Sequence, residues 1–170
     1  MKSFKTILSV FAIAAVFSAN SFAQESDVVT ATALVQAALT VTTSANIDLG
    51  SIQTGTASTI DANSNDVATE ANIGTGATAG QVDVTGTASA SVTVNFTTAT
   101  LSNGVDTDLT FTTRVYNGTT NVTDGSSITL DGSGDAQLDI GGTLDAPDGT
   151  GTYNTSTGAG SDITVTITYD

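Results

Sequence analysis

The chain has 170 residues, with 17 Asp or Glu against three Lys or Arg, and it contains no cysteine, histidine or tryptophan. The usual general bases, thiol nucleophiles and imidazole metal ligands are therefore excluded, and both lysines fall at Lys2 and Lys5, leaving no Schiff-base former further on. The acidity disfavours nucleic acid and anionic lipid as partners, and the lack of cysteine excludes a disulfide framework and an acylated lipid anchor.

Lys2 and Lys5 precede an apolar run over residues 7–17 broken only by Ser9, and Ser21-Phe22-Ala23 places small residues where a signal peptidase reads. The pattern predicts a signal peptide over 1–23 and a secreted, extracellular or cell-surface protein. The run is too short to cross roughly 30 Å of hydrocarbon, and no second run approaches the ~20 residues needed, so no membrane span is expected. Beyond residue 23, Arg114 stands alone against all seventeen carboxylates, a net charge of −16.

About a fifth of the residues are Thr, and Val, Ile, Thr, Ala and Gly dominate. That mixture favours pleated, half-buried strands joined by glycine turns. Val29, Ala31, Ala33, Val35, Ala37, Leu39 and Val41 alternate with mostly polar neighbours, which predicts a long first strand with one buried face. Shorter strands are expected over 47–53, 56–60, 67–73, 81–85 and 90–97. Val92, Val94 and Phe96 share one face, as do Leu109, Phe111, Thr113 and Val115 on the next strand, with Arg114 opposite. Ser102-Asn103-Gly104 is a tight-turn signal between them, because Asn and Gly tolerate positive φ. Residues 117–121 and 124–127 read as loops, 127–130 and 136–140 as strands, and Ile163, Val165, Ile167 and Tyr169 alternate with Thr164, Thr166 and Thr168 in a terminal strand.

Strands at short, fairly even spacing without an amphipathic helix predict an all-β, immunoglobulin-like β-sandwich with an extended N-terminal strand. The expected division is a signal peptide over 1–23, an extension over 24–45 and a sandwich domain over 46–170.

Carboxylates are the remaining chemistry. A pair of acids could hydrolyse a glycosidic bond, but sugar sites want aromatic platforms and only Tyr116, Tyr153 and Tyr169 are present, so no enzyme is expected. Asp131, Ser133 and Asp135, with Asp139 beyond, place hard oxygen ligands at alternate positions in a glycine-rich loop, a pattern suited to Ca²⁺. The loop lacks the length and terminal Glu of an EF-hand, and solvated turns are the alternative. Threonine ranks such as 164–168 also suit an ice-binding face, but the fixed repeat such a face needs is absent.

The segment over 26–43 has no Lys, Pro or bulge signal of the kind that protects strand edges. A free extension with alternating apolar residues suits insertion into another subunit's groove, the donor-strand form of β-augmentation. Head-to-tail insertion does not close on itself and builds a filament. The alternative is a monomer whose first strand pairs within its own sheet.

The stretch over 31–50, the Val84-Thr85-Gly86 region, and Ile140-Gly141-Gly142-Thr143-Leu144 through to Tyr169 together resemble a domain-of-unknown-function family of secreted bacterial β-proteins. More distantly the chain is similar to chaperone-usher pilins, with an alternating extension and a last strand ending in a penultimate tyrosine. That resemblance implies donor positions at Val29, Ala31, Ala33, Val35, Ala37 and Leu39. It implies an acceptor groove bordered by Ile163, Val165, Ile167 and Tyr169, and a secretion chaperone as partner. The chain departs from pilins in lacking their disulfide and in having no glycine among the apolar positions of the extension. The expected function is a self-assembling, fimbria-like structural subunit, a homo-oligomer or filament. The runner-up is a monomeric secreted binding or adhesion module that uses Ca²⁺. No other cofactor is expected.

Overall fold

The computed structural model describes residues 30–66 and 68–170. The expected signal peptide and Val29 lie outside the described residues. The chain divides into two units, Met1–Leu34 and Val35–Asp170. Of the first, residues 30–34 are described, and they are exposed and outside any strand.

The second unit is all-β, with ten strands among the described residues: β1 (Thr40–Ala45), β2 (Ser58–Ile60), β3 (Gly80–Thr85), β4 (Ser91–Phe96), β5 (Ala99–Leu101), β6 (Leu109–Asn117), β7 (Thr120–Val122), β8 (Ser126–Thr129), β9 (Asp135–Leu144) and β10 (Val165–Tyr169). They form two antiparallel sheets, the arrangement of a β-sandwich. The larger sheet runs β1-β3-β9-β6-β5, with β2 beside the far end of β9 and β7 beside the far end of β6; the smaller runs β10-β4-β8.

Period-two alternation explains which face of each strand is inside. Val82 and Val84 of β3, Leu138 and Ile140 of β9 and Val115 of β6 meet Val92 and Val94 of β4 and Ile167 of β10 in one buried cluster. As the spacing predicts, Leu109, Phe111, Thr113 and Val115 all point inward. The one hydroxyl in that row is satisfied, since Thr113 Oγ1 donates to the Thr97 carbonyl at 2.8 Å. A second cluster gathers Leu49, Ile60, Ala99, Leu109, Phe111 and Leu144. Here the cover is supplied by loops, through Ile47, Ile52, Ile73 and Tyr153.

Several predicted strands change. The long first strand shrinks to Thr40–Ala45, because alternation alone makes no strand without a ladder, and residues 30–39 have none. Residues 47–53 form no strand, and neither do 68–73, the described part of the stretch predicted over 67–73; the chain turns at Gly50 (φ 63°) and passes so close to Gly74 that a Cβ there would lie 2.3 Å from the Ser51 nitrogen. The polar tract over 117–121 contains β7, reached through a turn at Gly118 (φ 56°). Strand β9 runs on to Leu144 because Gly141 and Gly142 lie within it.

Those two glycines open opposite faces of β9. A Cβ on Gly142 would lie 2.4 Å from the Phe111 ring, and one on Gly141 would lie 2.3 Å from the Ala62 nitrogen. Gly142→Ala should therefore overpack the second cluster and cost about 1–3 kcal/mol, read as a lower urea midpoint. An unchanged midpoint would show that the Phe111 ring moves aside freely.

On the Gly141 face, Arg114 pins the segment after β2. Its Nε lies 3.1 Å from Asp66 Oδ2, its Nη1 donates to Thr143 Oγ1 at 3.1 Å and its Nη2 to the Ile60 carbonyl at 3.2 Å. Arg114 thus lies opposite the inward row, as the alternation predicts, and its guanidinium is held there by three partners while its side chain stays 22% exposed. The Asp66 side chain is 0% exposed. Burial alone would raise its pKa, but the Ala62 and Ala68 amides and the Arg114 guanidinium outweigh burial and hold it below the ordinary 3.8. A depressed folded-state pKa contributes stability that is complete above the unfolded value and lost as pH falls through the folded one. Acid should therefore lower the denaturant midpoint below about pH 4, and Asp66→Asn should flatten that decline while lowering stability at neutral pH. Parallel urea titrations at pH 7 and pH 3 measure both effects.

Candidate functional site

Among the described residues, strand β1 pairs only with β3 and β10 only with β4, so there each sheet ends in a strand with one unpaired edge. Between these edges lies an open groove of about 960 Å³. Val41 and Thr43 of β1 form one wall, Ile163 and Val165 the other, and Val82, Phe111, Ile140 and Leu144 lie on its floor. Those floor residues are at most 5% exposed and belong to the buried clusters, so the groove opens directly onto the core. Residues 151–155 of the long β9–β10 connection line one part of the rim.

The lining is apolar or neutral apart from Asp48 and Asp162. Tyr153 on the rim stays a neutral donor: its partial burial, then the nearby Asp106 and Asp148 carboxylates, push its phenol pKa up, and its hydroxyl lies 3.4 Å from Asp106 Oδ2. The β9–β10 connection is tied to the β5 end of the larger sheet by bridges between Thr100 and Ser161 and between Ser102 and Asn154.

The predicted acceptor residues separate into two groups. Ile163 and Val165 line the groove. Ile167 is buried in the first cluster, and Tyr169 is half-buried beside it. The Tyr169 hydroxyl accepts the Thr87 N–H at 2.7 Å and donates to the Ala37 carbonyl at 3.0 Å, while the Ala37 N–H donates to Thr87 Oγ1 at 2.7 Å.

The predicted donor positions separate at the same place. Ala31, Ala33 and Val35 are exposed, Val35 at 88%, and Leu34 between them is 87% exposed. Ala37 is held by both backbone groups, and Leu39 packs on the first cluster. The apolar series thus changes role along its length: Leu39 packs on the domain's own core, whereas Ala31, Ala33 and Val35 are exposed.

In the loop proposed for Ca²⁺, Asp131 Oδ1 accepts the Ser133 and Asp135 N–H groups at 2.8 and 2.9 Å, closing the β8–β9 turn. These bonds hold the Asp131 carboxyl below its ordinary pKa. Asp139 sits on β9, where its two oxygens accept from Gln81 Nε2 at 2.9 Å and Asn63 Nδ2 at 2.8 Å. Among the described residues, no three His, Cys, Asp or Glu side chains lie so as to hold a metal ion. Nor is any helix among them long and apolar enough to cross a membrane.

Sequence reasoning missed the groove floor. The alternation in β3, β6 and β9 marks Val82, Phe111 and Ile140 as inward-facing, but nothing in a linear pattern tells whether another strand covers them. Compared with family models, curated proteins and solved structures, the chain finds no match.

The division of the apolar series is testable by stability alone. Leu39→Ala should lower the unfolding free energy by about 1–3 kcal/mol, because a packed side chain is truncated at the domain edge. Val35→Ala should change it by no more than about 0.5 kcal/mol. Equal costs at the two positions would place both in the same core.

Proposed function

We propose that the chain is a structural subunit of an extracellular, fimbria-like filament with an immunoglobulin-like sandwich, and that it polymerises when the extension of one copy enters the groove of the next. One observation carries this reading: a groove with an apolar floor, flanked on each side by a strand edge unpaired among the described residues, lies in the same chain as an exposed, uncharged, alternating segment. A strand laid between β1 and β10 would satisfy the idle backbone groups of both edges and cover the floor with alternate side chains.

Length and charge agree with that fit. Residues 30–36, extended, reach about 24 Å, longer than the five residues of β10 need at the same rise. The sequence over 28–47 contains no charged residue, no Gly and no Pro, so such a strand brings neither a desolvation cost for charge nor a missing amide. The likeness to pilins and to the secreted β-protein family supports the same route, with export freeing the extension and a secretion chaperone guarding the groove until a neighbour arrives.

Sedimentation velocity and electron microscopy of the protein beginning at residue 24 test the proposal. Head-to-tail oligomers are expected, and a variant beginning at Val35 should remain a folded monomer. An excess of a peptide spanning 28–36 should cap the wild-type chain and shorten its oligomers. A full-length protein that stays monomeric at high concentration, or a truncated one that assembles equally well, would sink the reading. A monomer that instead takes up a small apolar ligand in the groove would favour the secreted binding module.

A further inference from the structure

We infer that the extension is committed to a second copy of this chain and kept out of its own groove by the polar clamp of Tyr169, Thr87 and Ala37. This inference rests on the donor-strand reading and specifies its partner.

Entry into its own groove would require the segment before β1 to reverse and run back along β1. The clamp lies where that reversal must occur. Ala37 uses both its N–H and its carbonyl there, at 2.7 Å to Thr87 Oγ1 and 3.0 Å to the Tyr169 hydroxyl. The network is complete: the Tyr169 hydroxyl donates to Ala37 while its oxygen accepts the Thr87 amide, and Thr87 Oγ1 lies 3.3 Å from that oxygen. Two residues on, Leu39 is packed on the core. Gly86 makes the room for both contacts, since a Cβ there would lie 2.4 Å from the Tyr169 hydroxyl oxygen and 2.9 Å from Leu39 Cδ1.

Chain chemistry opposes the reversal as well. Tight hairpin loops need one or two residues at positive φ, supplied by Gly, Asn or Asp. None of these occurs over residues 28–39. A wider loop would have to release Ala37 and Leu39, breaking the clamp and uncovering part of the core. Insertion into a neighbour's groove breaks nothing. Tyr169 is therefore a positioning residue that acts through Ala37, and the subunit has no self-capped resting form. Assembly must depend steeply on concentration and remain open-ended.

The test compares the wild-type chain from residue 24 with two variants, Tyr169→Phe and a triple variant adding Ala37→Asn and Ala38→Gly, which removes the clamp and supplies a hairpin turn. Hydrogen exchange is read residue by residue at a concentration below assembly, and sedimentation velocity above it. In wild-type monomer, the Ala37 amide should be protected and residues 30–36 should exchange freely. The triple variant should accumulate as a monomer in which 30–36 become protected, with oligomers reduced several-fold, and Tyr169→Phe should lie between. Protection of 30–36 in wild-type monomer, or a folded triple variant that assembles like wild type without a protected monomer, would overturn the inference. If the triple variant does not fold, the wild-type exchange pattern and Tyr169→Phe decide alone. A wild-type chain that never assembles, yet keeps Ala37 protected and 30–36 free, would defeat the donor-strand reading while leaving the clamp intact.

Discussion

Unequal sheet widths are the constraint from which the rest of the structure follows. Strands β3, β6 and β9 each present an inward row of Val, Leu, Ile or Phe, but the opposing sheet has only β4, β8 and β10 to lay over them. Apolar surface left in water costs about 25 cal/mol per Å², so the uncovered part must be closed by other means. At one end, loops do so: Leu49, Ile52 and Ile73 fold over Phe111 and Leu144. Between β1 and β10 nothing among the described residues does, and the core is reached from outside through the groove. Two edges unpaired among the described residues flank that opening, which is what the proposed insertion of a strand relies on. The mismatch in sheet width therefore decides where the groove lies.

Charge limits which object can approach. Beyond residue 23 the chain carries a net −16, and its single cation, Arg114, is already paired with Asp66. Copies of such a molecule repel one another at separations within a Debye length, about 8 Å at physiological salt. The sequence over 28–47 carries no charge and so escapes this repulsion. The groove it would enter is bordered by only two carboxylates, Asp48 and Asp162. Under the proposed assembly, the acidic surface would keep other faces apart and leave contact between the uncharged segment and the groove as the least opposed mode of meeting.

The legible part of the structure is the part governed by period two. Val92 and Val94, the inward row of β6, and the terminal strand were readable because a buried face imposes alternation on each strand separately. The Asn103-Gly104 turn was readable because positive φ restricts residue choice, and Gly104 indeed has φ 75°. What stayed hidden depends on pairs of distant segments. The stretch from Ile47 to Ile52 alternates like a strand, but its neighbour Gly74 crosses too closely for a ladder. Every odd position from Ala31 to Val41 is apolar, yet that pattern says nothing of the boundary near Ala37 where the side chains pass from exposed to packed. That boundary is set by Thr87 and Tyr169, 50 and 132 residues away. The partner of Arg114 was equally hidden, because Asp66 is 48 residues distant.

The last strand has a part in each of these features. Ile167 closes the first cluster, Ile163 and Val165 wall the groove, and Tyr169 fixes the point where the extension departs. None of the three can exist until the C-terminal residues have been made and have paired with β4. A chain in which this strand has not yet paired with β4 therefore lacks that groove wall and the bonds that hold Ala37. Under the proposed donor-strand reading, such a chain could not yet act as an acceptor, and its own extension would not yet be held in position. On that reading the donor segment lies before β1 and the acceptor is completed by β10, so a subunit would become competent to join at both ends only once β10 has docked.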